Sequence, residues 1–112
     1  MNSNVDFDAE MTGIFLEEVD RCLAEMETAW RVMLSGERMP AEFWRGAHTI
    51  RGNAAMLEFH ALADVAAELE RTAKSAADVD LTSMGKLELL VTLLNEVRLQ
   101  IEQIRHSFAG DQ

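Results

Sequence analysis

A chain of 112 residues is one domain's worth, long enough to build a single hydrophobic core without disulfides or a structural metal and too short for two such cores. Twenty acidic against ten basic side chains leave a formal charge of -10, which repels phosphodiester backbones and anionic lipid alike, so nucleic acid and membrane surfaces are excluded as natural partners. A single cysteine, no leader pattern and no apolar run long enough to cross a bilayer make the cytoplasm the expected compartment. The expected state is a monomer.

Leu, Ala, Glu and Met are abundant, Tyr is absent, Pro occurs once, and β-branched residues never form an alternating run, so the expected fold is all-α. Asp6 and Asp8 are candidate caps of a first helix over about residues 7–34, with Phe15, Cys22, Met26, Ala29 and Met33 at helical spacing and Leu16, Leu23 and Trp30 widening the stripe. Its first part is a candidate separate turn across the top of the fold. Ser35 to Pro40 then supplies a stop glycine, Gly36, and a proline suited to the first position of the next helix.

The second helix runs from Pro40 to near Glu58 with Phe43, Ala47, Ile50, Ala54 and Leu57 on its buried face. A third carries Leu62, Val65, Ala66, Leu69 and Ala73, and the polar segment Ser75 to Asp80 closes it. Asp80 or Thr82 caps a fourth helix whose stripe is Met84, Leu87, Val91, Leu94, Ile101, Ile104 and Phe108, broadened by Leu90 and Val97. Four amphipathic helices with short connections imply an antiparallel up-down-up-down four-helix bundle occupying the whole chain as one domain.

One residue breaks the pattern. At about 100° per residue, His48 projects roughly 140° from the centre of the second helix's buried face, so its imidazole is expected in water. Gly52 and Ala55, one and two turns further on, leave the ring sterically bare. A glycine inside a helix costs about 1 kcal/mol relative to alanine, and close approach of another protein to the histidine would explain it. Arg51, one turn along, brings a cation. A neutral imidazole nitrogen with room for in-line attack and a cation for the phosphoryl oxygens is what phosphoryl transfer requires, and imidazole needs no special tuning to be a nucleophile at neutral pH.

The run Ala47-His48-Thr49-Ile50-Arg51-Gly52 resembles the signature of the histidine-containing phosphotransfer (HPt) family, in which lysine follows the histidine at three and glycine at four. Within that family the chain resembles the amino-terminal phosphotransfer domains of CheA-type chemotaxis kinases, including the opening Phe15-Leu16-Glu17-Glu18. The resemblance implies that His48 is phosphorylated and that Glu70 binds the far nitrogen of its ring. It also implies that Arg51 offsets phosphoryl charge, that a histidine kinase catalytic domain and a response-regulator receiver are the partners, and that no cofactor or metal is held. A carboxylate at Nδ1 would leave Nε2 free to attack. Trp44, Gly52, Ala55 and Met56 are the expected partner-binding surface.

Three positions depart from the family pattern: Arg51 replaces lysine, Glu58 a second glycine, and Ala67 a second histidine. Plainer readings stand beside these roles. Glu70 then reads as an exposed helix residue in an ordinary pair with Lys74 at four residues' spacing, Arg51 as a solvated charge, and Trp44 as a cap on the end of the bundle. His60, in a connection, and His106, near the last turns, have no partners at useful spacing, and Cys22 reads as a core residue. A carboxylate-bridged metal site would need Glu-x-x-His pairs, which are absent, and a hydrolase would need a nucleophile in a pocket. The remaining rival is an HPt-shaped docking module that is never phosphorylated. The sequence leaves open whether the domain stands alone or opens a larger kinase.

Overall fold

The computed structural model describes residues 3–36, 38–77 and 84–110, which form four helices: α1 (Ser3–Leu34), α2 (Ala41–Met56), α3 (His60–Ala77) and α4 (Met84–Gly110). Each packs against its neighbours in the chain, and α4 returns to α1, giving the expected four-helix bundle. At 32 residues α1 is twice as long as the 16-residue α2, and it stretches the molecule to 56 × 20 × 20 Å. The N-terminal residues continue α1 without a break instead of forming a separate turn, so Asp6 and Asp8 lie within the helix and do not cap it.

On α1 the buried line is Phe15, Val19, Cys22, Met26, Ala29 and Met33, alternating steps of four and three. Gly36, at φ 101°, stops the helix, and its N–H donates to the Met33 carbonyl. Pro40 sits one residue before α2, where its fixed φ of -66° sets the entry and its carbonyl accepts from the Phe43 N–H. Phe43, Ala47, Ile50 and Ala54 on α2 are fully buried against Leu62, Ala66, Leu69 and Ala73 of α3 and the α1 line. Trp30 and Phe43 stack with centroids 5.8 Å apart.

Gly46 is buried as well, because α2 lies directly against Met26 of α1 there. A Cβ at that position would lie 2.7 Å from Met26 Sδ and run into Met26 Cγ. The α2–α3 turn is closed by two backbone bonds, Glu58 N–H to Ala55 O and Phe59 N–H to Ala54 O, with Glu58 left-handed at φ 64°. Phe59 then packs its ring on Phe15 at 5.2 Å. His60 is the first residue of α3 and not part of a connection, and α3 runs through Ser75 to Ala77.

The proposed caps Asp80 and Thr82 lie outside the described residues. On α4 the buried residues are Leu90, Leu93, Leu94, Val97 and Ile101, while Val91 is 42 % exposed. The stripe is therefore centred on Leu90 and Val97, which the periodicity made marginal. The run Leu89-Leu90-Val91 with Leu93 and Leu94 is apolar nearly all round, so only packing against α3 selects the inward face.

Candidate functional site

Burial of Phe43, Ala47, Ile50 and Ala54 fixes the rotation of α2, and this turns His48 outward with 59 % of its side chain exposed. Gly52 and Ala55 are exposed on the same face, and Met56 is 73 % exposed at its end. Leu62 and Leu69 hold α3 against α2 so that Glu70, on the flank of the buried face of α3, comes level with His48. Glu70 is the sole charged or polar side chain buried among the described residues.

Its carboxylate meets three donors. Oε2 lies 3.0 Å from His48 Nδ1 and 3.0 Å from Lys74 Nζ, and Oε1 lies 3.1 Å from Arg51 Nε. The pairing of Glu70 with Lys74 and its approach to His48 thus coexist. Burial, the strongest influence, pushes the Glu70 carboxyl up; hydrogen bonds from Lys74 and His48 and the charges of Arg51 and His48 together outweigh it, leaving the group below its ordinary 4.5.

Arg51 also brings Nη2 to 3.0 Å from His48 Nδ1, while its own buried Nε makes no aligned hydrogen bond among the described residues. One ring nitrogen cannot serve both neighbours. When Nδ1–H donates to Glu70, Nε2 carries the free lone pair; when Nδ1 accepts from Arg51, the proton sits on Nε2. Approach of the anionic carboxylate favours the first tautomer.

Trp44, half-buried one turn before His48, packs its ring against the core and has two cations near it, Lys74 Nζ at 4.9 Å and Arg45 Cζ at 5.6 Å from its centroid. Sequence reading named Lys74 only as a rival partner for Glu70 and passed over Arg45. It also passed over an open groove of about 320 Å³ beside the site, lined by Met11, Ile14 and Phe15 of α1 and Thr49, Asn53 and Met56 of α2 among others. Thr49, Asn53 and Met56 recur at steps of four and three, so the flank was there to be read.

Ala67 is half-buried on α3, and Cys22 is buried with its thiol pushed up, chiefly by that burial. Among the described residues no three His, Cys, Asp or Glu side chains gather as a metal site would need, and no helix is long and apolar enough to cross a membrane.

Fold and site together define a small helical bundle that displays one imidazole, backed by a buried carboxylate from the adjacent helix. The family model of the Hpt domain matches residues 10–107, and the chain belongs to that family: it is a histidine phosphotransfer module of the kind that works with kinases and receivers in phosphorelays. Searches among curated proteins and solved structures return no match.

Proposed function

We propose that His48 is the phosphoryl-carrying residue, taking the group from a histidine kinase catalytic domain or a phosphorylated receiver and passing it to a receiver aspartate in the cytoplasm. The observation that carries this reading is the 3.0 Å approach of Glu70 Oε2 to His48 Nδ1 on an otherwise open helix face. With the proton held on Nδ1, the Nε2 lone pair attacks phosphorus in line. The N–P bond forms as the P–O bond to the donor breaks, and the donor oxygen leaves with the electron pair. The ring becomes cationic, and the carboxylate beside it offsets that charge.

Arg51 is the group that reaches phosphoryl oxygens. Its guanidinium is a planar fork able to meet two of them, a different reach from that of a lysine ammonium. Transfer to a receiver reverses the same displacement. Gly52 and Ala55 leave room for the visiting active site, and Trp44 and Met56 border the surface on which the partner rests.

Incubation with a histidine kinase and labelled ATP is the decisive experiment. The expected result is an acid-labile, alkali-stable label that His48→Gln abolishes and that a receiver domain removes. A chain that binds the receiver but gains no label is a docking module, and this reading fails.

A further inference from the structure

The Lys74 ammonium is held from two sides. It lies 3.0 Å from Glu70 Oε2, and it faces the Trp44 ring at 4.9 Å, so it ties α3 to α2 beside His48. Glu70 needs such a tether. The terminal torsion of a glutamate is broad, and a carboxylate held by one donor swings freely. Here Arg51 approaches Oε1 while Lys74 and His48 share Oε2, which sets the plane of the carboxylate and aims Oε2 at Nδ1.

Arg51 is the looser of the two cations on Glu70: its Nε lies 3.1 Å from Oε1 without an aligned hydrogen bond among the described residues. If its guanidinium turns to phosphoryl oxygens, it leaves Oε1, and Lys74 is then the cation still in contact with Glu70. The charged and titratable groups facing Glu70 are His48 and Arg51 from α2 and Lys74 from α3. With a neutral imidazole, these three groups and the Glu70 carboxylate together carry one positive charge on a chain of formal charge -10. Without Lys74 the sum is zero, and an incoming phosphoryl dianion meets no net attraction.

We propose that Lys74, clamped between the Trp44 ring and the Glu70 carboxylate, is a positioning residue that keeps Glu70 on His48 Nδ1 while Arg51 attends to the phosphoryl group. This rests on the phosphotransfer reading above, and it divides the two cations by task. Arg51 acts on the group transferred, and Lys74 on the group that orients the ring.

The test has two arms on the full chain. In the first, the Glu70 carboxyl is titrated by NMR in the wild type, Lys74→Met, Lys74→Arg and Trp44→Leu. Lys74→Met raises its pKa, Trp44→Leu raises it less, and Lys74→Arg restores it, with unchanged circular dichroism throughout. In the second, phosphoramidate replaces every protein partner as phosphoryl donor, and mass spectrometry follows His48. Lys74→Met is about two- to fivefold slower than wild type, the range a half-exposed ion pair supports, and Lys74→Arg recovers most of the rate.

An unmoved Glu70 titration in Lys74→Met overturns the proposal whatever His48 does. A moved titration with a wild-type phosphorylation rate overturns it too, since the pair is then structural only. A wild type that gains no phosphoryl group while its Glu70 still responds to Lys74 sinks the phosphotransfer reading instead.

Discussion

Gly52 has open space where a side chain would be: a Cβ built there meets no heavy atom within 4 Å. Nothing inside the molecule demands glycine, so Gly52→Ala stabilises the fold by about 0.5–1 kcal/mol through helix propensity, measured by urea denaturation. The same methyl group stands one turn from the imidazole, and transfer to a receiver slows while phosphorylation by phosphoramidate does not. A stable variant with undiminished transfer would remove the docking explanation for this glycine. Glu70 makes a second residue-scale prediction. Its folded pKa is depressed, so the stability it contributes is fully present above its unfolded value near 4.5 and is lost as pH falls through the lower folded value. Glu70→Gln costs about 1–2 kcal/mol at neutral pH, and the gap to wild type narrows as the solution is acidified below 4.5. A gap that widens in acid contradicts the assignment.

At the scale of the helix, the turn after α2 shows how a departure from pattern is absorbed. Glu58 stands at the left-handed position of the helix stop, with both closing backbone bonds made, so the turn keeps its geometry at the cost of crowding between the Glu58 Cβ and its own backbone. Glu58→Gly therefore stabilises by about 1 kcal/mol, roughly 4 °C in Tm, read by thermal denaturation. The same scale separates what was legible in the sequence from what was not. The faces of α1, α2 and α3 follow from steps of three and four, and Val19 belongs to the α1 series although it was not singled out. His48 was placed in solvent by the same arithmetic. On α4 the residues Leu87, Leu90, Leu94, Val97, Ile101, Ile104 and Phe108 do belong to the core, but Val91 turns outward and Leu93 inward, because consecutive apolar residues around Leu90 give no single direction until α3 is packed against it. The close approach at Gly46 was equally hidden, since a glycine's neighbours across a helix pair are not written in its own helix. Lys74 was visible as a partner for Glu70, but its contact with Trp44 depends on how α2 and α3 lie together.

Across the whole molecule the seams between helices are unequal, and the inequality says what the site depends on. The α2–α3 seam, which carries His48, Arg51, Glu70 and Lys74, is sealed by fully buried Ile50 and Leu69. The α1–α4 seam is instead bridged by half-exposed ion pairs, Arg98 with Glu27 at 2.8 Å and Arg105 with Asp20 at 2.7 Å. Exposed pairs of this kind contribute about 0–1 kcal/mol each, whereas truncating a buried isoleucine or leucine costs about 2–5 kcal/mol. The double variant Arg98→Ala, Arg105→Ala accordingly unfolds within about 2 kcal/mol of wild type and accepts phosphoryl groups from phosphoramidate at the wild-type rate. Leu69→Ala loses about 2–5 kcal/mol, and because Leu69 precedes Glu70 on α3, its phosphorylation slows even where the chain remains folded. Denaturant titration paired with the phosphoramidate assay separates the two seams. Equal losses of rate from both variants would mean that the site draws its geometry from the bundle as a whole and not from the contact of α2 with α3.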